Sequence, residues 1–372
     1  MTNENPLRRL SLALPLLALS CASKAIDLDS KTVIVGNPDP AVLGTVSEQV
    51  VTLAVDEQRL YWVGSLYLPS SGFGRLHSCD KEHCASTLLT YGDSPISMYG
   101  ATSGLSGIAV RGGELYSFRM TDINQESLFA SDVSDPSRER TLASGMQSFA
   151  SVIDSDGVFF TDFDEIYALP LTADHDTPRV VSPLPDGDAL ILAAQGDYVY
   201  FIGDRNSVVA VQRTRKDGMG SVEVLADNTK VNTYTIEVDD GEQLPSYGLA
   251  VDSSYVYWSE NVLVGAVLRC PLSGCTGAPE IVAAPVRESL GLQLDGSTLY
   301  FQHATDAFQY GISRCTLGDC GQPELLASGL NTANVFAVDD RYLYVATSSQ
   351  SLDTINYDSQ VTPVATIRRV SK

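Results

Sequence analysis

His303 and Glu260 are the residue types that proton transfer needs, and each falls just beyond the aromatic end of a repeated strand pattern. A histidine beside a carboxylate can serve as general base or acid; a lone loop histidine is otherwise plain polar surface. Equivalent positions of other copies carry Asp122, Asp162, Asp164, Asp204, Asn261 and Asp306, with Arg119 and Arg205 among them. A ring of oxygen ligands of this kind suits Ca²⁺ or another hard cation, and no other cofactor is expected. No ligand spacing singles out any of these acids, so they also read as solvated loops of an acidic chain.

The cysteines carry a second chemistry. Cys79 and Cys84, Cys270 and Cys275, and Cys315 and Cys320 share the spacing C-x₄-C. Each pair sits where one strand turns back into the next, which brings Cβ atoms of flanking residues near disulfide distance. The first hairpin, HSCDKEHC, also clusters His77 and His83 with its cysteines in a set that could hold zinc. The other two pairs lack histidine, so three disulfides explain all three pairs at once.

The elements that would position these residues repeat. The pattern reads VDEQRLYW from Val55, VRGGELYSF from Val110, IDSDGVFF from Ile153 and AQGDYVYF from Ala194. It continues as VDSSYVYW from Val251, LDGSTLYF from Leu294 and VDDRYLYV from Val338. Each copy predicts a strand, a tight polar turn and an aromatic-rich second strand. Third and fourth strands follow, the fourth being recognisable as RTLAS at Arg140 or EIVAA at Glu280. Copies recur at roughly the 40–50 residues of a propeller blade. The expected fold is all-β: a seven-bladed β-propeller of four-stranded antiparallel blades, its ring closed by the N-terminal strand. The seventh copy ends before a fourth strand, and KTVIVG from Lys31 matches the missing one in pattern. Closure by Thr32 to Val35 would remove an open sheet edge.

Upstream, Arg8 and Arg9 precede an apolar run from Leu10 to Leu19, of signal-peptide length and too short to span a bilayer. The run ends Leu-Ala-Leu-Ser-Cys, a bacterial lipobox pattern with Cys21 as the lipidated residue; Ser20-Cys21-Ala22 also suits an ordinary signal peptidase. The expected organisation is a signal peptide over 1–20, a linker over 21–30 and one propeller over 31–372. Export follows, to the periplasm or a lipid-anchored place at the outer membrane. The composition, 44% hydrophobic with 29 Gly and 17 Tyr, can build a core, and the formal charge of −22 repels phosphate backbones and anionic lipid. Nucleic acid is thereby excluded as a partner, and membrane contact is left to the anchor at Cys21.

Written as V-D-x₃-L-Y-W, the repeat resembles the YWTD-type propellers of low-density-lipoprotein-receptor ectodomains, on Tyr61-Trp62 and Tyr257-Trp258. Here the copies continue Val-Gly and Ser-Glu, and seven replace the usual six. RCPLSGC at Arg269 and RCTLGDC at Arg314 resemble uncharacterised secreted lipoproteins of myxobacterial type, which implies only a fold and an envelope location. Seven-bladed streptogramin lyases act through a His and a Glu, but their motif finds no residue-by-residue match and no catalytic site is carried over.

Two insertions, Tyr91 to Ser106 and Asp227 to Tyr247, lie between blades and project onto the same face as the acids. With no nucleophile elbow, phosphate loop or zinc helix in the sequence, the expected function is a non-enzymatic binding or scaffold propeller. It would recognise a protein, a glycan or a small molecule. The alternative is a lyase or metal-dependent hydrolase using Glu260 and His303.

Overall fold

The structure is a computed structural model that describes residues 33–34, 41–46, 49–68, 71–96, 108–122, 125–146, 148, 150–162, 164–184, 189–205, 208–226, 248–259, 265–289, 291–306, 309–330, 336–348 and 365–372. The leader, Cys21, the segment 227–247 and residues 97–107 lie outside the described residues.

Each sequence repeat forms one antiparallel sheet whose strands pair in chain order. Blade one runs from Gln49 to Ile96, blade two from Ile108 to Met146, and blade three from Ala150 to Pro183. Blade four spans Ala189 to Ala226, blade five Leu249 to Val286, blade six Gly291 to Leu330, and blade seven Phe336 to Ser371. First strands of neighbouring blades touch at six of the seven junctions, including that of blades seven and one, so they are innermost. The expected fold class stands: seven four-stranded blades in a closed ring.

The core is divided among the junctions. In every second strand, alternate side chains point to the preceding and the following blade, as the two-residue period of a strand requires. Leu60 and Trp62 pack with Tyr344 and Ile367 of blade seven. Their neighbours Tyr61 and Val63 pack with Leu115 of blade two. The same division recurs around the ring, and the aromatics facing forward (Tyr61, Tyr116, Phe159, Tyr200, Tyr257, Tyr300 and Tyr344) are all almost fully buried. A single blade would leave both of these faces wet, so the ring is the unit that folds.

Closure occurs as expected in kind but through a different segment. Ala41–Val46 is the fourth strand of blade seven, pairing antiparallel with Ala365–Ser371. Lys31–Gly36 does not fill that place: within it, Val33–Ile34 adds a fifth strand to the outer edge of blade six, opposite Ser328 and Ala327. Pairing distinguishes the two: Thr45 and Val46 lie opposite Thr366 and Ala365 of blade seven, whereas Val33 and Ile34 lie opposite Ser328 and Ala327 of blade six. Val46 also leads into Gln49 by a short step, as Met146 does into Ala150 and Val286 into Gly291.

The three cysteine pairs are disulfides, with Cα atoms 4.6 Å apart for Cys79–Cys84, 5.3 Å for Cys270–Cys275 and 5.0 Å for Cys315–Cys320. Each closes the hairpin between third and fourth strands. Among the described residues no group of three or more His, Cys, Asp or Glu side chains gathers to hold a metal. The zinc reading of the first hairpin is replaced by a disulfide, and His83 beside it is exposed.

Candidate functional site

The end of the ring that carries these hairpins also carries the turns between first and second strands, and there the repeated aspartate acquires its role. Asp56 Oδ1 accepts the N–H groups of Gln58 (2.7 Å) and Arg59 (2.6 Å), while Oδ2 accepts the Tyr61 hydroxyl at 2.7 Å. Asp252 does the same with Ser254, Tyr255 and Tyr257, and Asp339 with Arg341, Tyr342 and Tyr344. One carboxylate thus holds the turn and anchors the buried aromatic. Burial and the Asp252 carboxylate together push the Tyr257 phenol up to about 12.

A side chain from the next blade seats over each such aromatic. In blades two, three, five and six it is apolar: Val133 against Tyr61, Leu171 against Tyr116, Leu272 against Tyr200 and Leu317 against Tyr257. In blades one, four and seven it is a lysine. Lys81 reaches Asp339 at 2.5 Å and lies 5.9 Å over the Tyr344 ring. Lys216 pairs with Asp154 and with Asp156 (2.8 Å), over Phe159 at 5.5 Å. Lys372 pairs with Asp295, over Tyr300 at 5.3 Å. Burial opposes the charge of Lys216, but its two aspartates outweigh it and hold its pKa above the usual lysine value. Carbonyls at these positions are also clasped by the preceding blade, as Leu171 by Arg140 (2.6 Å) and Lys216 by Arg179 (2.7 Å).

Between blades three and four this seam opens into a cleft of about 650 Å³. The cause is local. The loop after Leu169 carries no disulfide and is drawn back onto blade two, where His175 N–H donates to Thr141 (3.1 Å) and Asp176 N–H to Leu142 (2.9 Å). His175 takes a φ of 55° to make that reach, a left-handed conformation histidine tolerates better than most residues. Ala173 is buried there and Arg140 donates to its carbonyl at 2.6 Å. On the other wall, Arg179 ties Lys216 and Asp217 of blade four. Gly157 is needed at the turn beneath, because a Cβ there would lie 2.5 Å from the Leu169 carbonyl oxygen.

The cleft floor is the buried Phe159, Ala168 and Leu169, and its rim carries exposed Pro170, four aspartates and three cations. The cations are committed: Lys216 to Asp154 and Asp156, Arg215 to Asp217 at 2.6 Å, and Arg179 to backbone carbonyls. The Arg215 guanidinium holds the Asp217 carboxyl down to about 2. Asp176 and Asp197, both exposed, are the rim carboxylates left to face solvent.

Of the candidate site residues singled out from sequence, His303 and Asp162 lie at the other end of the ring. His303 is half-buried; its Nε2 lies 2.8 Å from Ser313 Oγ, its Nδ1 3.3 Å from the Ala304 carbonyl. Burial lowers its pKa and favours the neutral imidazole. Ser313 is itself only 3% exposed, so the His303 Nε2 faces a buried hydroxyl. Glu260 and Asn261 lie outside the described residues. Asp122 ends its second strand and Asp204 stands one residue before the end of its own, and their side chains are likewise outside what is described. Asp162 caps its turn by accepting the N–H groups of Asp164 (2.9 Å) and Glu165 (2.8 Å), and takes the Tyr167 hydroxyl at 2.8 Å. Arg119 does not line the mouth: it runs between blades one and two, paired with Glu139 and 3.8 Å from the centre of the Phe129 ring. The structure therefore brings none of the other expected residues against His303 among those described.

The cleft escaped the sequence reading because loop direction, not residue type, creates it.

Fold and cleft define the class: an all-β, seven-bladed propeller with a polar-rimmed cleft between two blades. No family model matches the chain, and no curated protein sequence does. Among solved structures it is similar to a crystallised nidogen/laminin complex, at 14% identity over 67% of this chain and 89% of that one, with a TM-score of 0.42. It is also similar to a structure from a study of two prolyl endopeptidases, at 13% identity, 82% of this chain, 46% of that one and a TM-score of 0.48. At such identities and scores neither likeness bears on what this chain binds, and the blade count rests on its own strands.

Proposed function

We propose that this chain is a non-enzymatic binding propeller of the bacterial cell envelope, exported by its leader and held by lipid at Cys21. Its ligand enters the cleft between blades three and four. The carrying observation is the cleft: its volume of about 650 Å³ lies in the range of ligand sites, and an apolar floor meets a strongly charged rim there. Three disulfides support an oxidising compartment. Lys216 and Arg179 of that seam hold blades three and four together, which suits a rigid scaffold that binds without rearranging.

Thr177 lines the cleft and is exposed, so Thr177→Trp should fill it without disturbing the core. Ligand-observed NMR with a fragment set of cationic, neutral and anionic members should give binders to the native protein that vanish with Thr177→Trp. Binders that persist in that variant and disappear with His303→Ala would move the site to the opposite end of the ring and end this reading.

A further inference from the structure

Resting on that reading, we infer that the cleft recognises a basic side chain, an arginine or lysine presented by an extended segment of a partner protein. The first support is charge accounting at the cleft. Every cation lining it already has a partner, whereas Asp176 and Asp197 face the opening with their carboxylates unspent. The charge still to be answered is negative. The formal charge of −22 for the whole chain adds long-range attraction for a cation.

The second support is shape. The floor of Phe159, Ala168 and Leu169 is apolar and buried, whereas the Asp176 and Asp197 carboxylates are exposed. Long basic side chains present that pair of surfaces, an aliphatic stem below a charged head. A simple metal ion would leave the floor unused, and an acidic ligand would meet two bare carboxylates.

The third support is that the protein already uses this recognition on itself. Lys81, Lys216 and Lys372 each insert between blades, with the ammonium against aspartates and near the face of the preceding aromatic. Lys216 does so in the wall of this cleft. An incoming basic side chain would repeat, from outside, a contact the fold makes three times from within. Side chains in successive positions of an extended segment alternate, so one basic residue can enter while its neighbours follow the rim.

The test uses fluorescence anisotropy at physiological salt with a labelled pentapeptide, acetyl-Ala-Arg-Ala-Lys-Ala-amide, and its counterpart with both basic residues replaced by Glu. The basic peptide should bind and the acidic one should not. Asp176→Asn with Asp197→Asn should weaken the basic peptide about tenfold, as two partly exposed charge contacts allow. Glu57→Gln with Asp340→Asn removes the same charge from exposed turns of blades one and seven, and should change affinity less than about twofold. Equal weakening by both pairs would mean general attraction to an acidic protein and would overturn the inference. So would Thr177→Trp-sensitive binding of neutral or anionic fragments without the basic peptide, although the cleft would then remain the binding site.

Discussion

Replacing Lys81 by methionine is expected to cost about 3 kcal/mol of folding stability at pH 7. Side chains of Lys81 and Asp339 are only 4% and 9% exposed, and the pair joins blade one to blade seven where the ring closes. Methionine keeps most of the volume and resembles the apolar residues that other blades place here, so lost packing is small. What remains is an aspartate deprived of its cation, with only Tyr344 and two backbone N–H groups to hold its charge. Burial raises the Asp339 pKa, but Lys81 and these donors outweigh it, leaving the value below the ordinary 3.8. A carboxyl with a depressed folded pKa stabilises above its unfolded value and loses that contribution as pH falls through the folded one. The Lys81→Met penalty should therefore be full at pH 7 and shrink below about pH 4. Denaturant unfolding at pH 7 and pH 3 measures it, and Lys81→Met with Asp339→Asn should recover much of the loss. A penalty under 1 kcal/mol at both pH values would mean that the pair behaves as surface charge.

Glu126 should show the opposite sign. It is 7% exposed in blade two, its Oε2 has no hydrogen-bond partner, and burial pushes its carboxyl up to about 8 against only the Ser148 N–H. Between its ordinary value of 4.5 and about 8, the folded protein holds a proton that the unfolded chain releases. Fewer protons on the unfolded state make stability fall as pH rises through that window. Glu126→Gln, which keeps the shape of the neutral acid, should stabilise by roughly 3 kcal/mol at pH 7 and hardly at all at pH 4. Thermal unfolding across that range reads the effect. A variant no more stable at pH 7 than the native protein would show that the carboxylate is solvated.

These two residues illustrate how much the sequence could disclose. The V-D-x₃-L-Y pattern announced each hairpin because its cause is local: Asp56 reaches Gln58, Arg59 and Tyr61 within five positions. The cysteine pairs were legible for the same reason. Lys81 was not, because its partner Asp339 is 258 residues away and four of seven blades use an apolar residue in its place. KTVIVG matched the missing strand by pattern, but the partner it takes, Ser328 and Ala327 of blade six, is set by three-dimensional pairing that the pattern does not encode. The histidine was visible at position 303, yet nothing in the pattern revealed that Ser313 would hydrogen-bond to it. The cleft depends on His175 and Asp176 bonding back to blade two, a choice of loop direction that no spacing records.

The central claim is a ring closed by Ala41–Val46 rather than by the strand-like segment before it. Thr45 lies opposite Thr366 in the closing pair, and Val33 lies opposite Ser328 in blade six. Paired cysteines at Thr45 and Thr366, oxidised and mapped by peptide mass spectrometry, should form a bond within one chain. Cysteines at Val33 and Ser328 should do likewise, while Val33 with Thr366 should not. A bond between positions 33 and 366 in place of the 45–366 bond would contradict this closure and assign the last blade to the upstream segment.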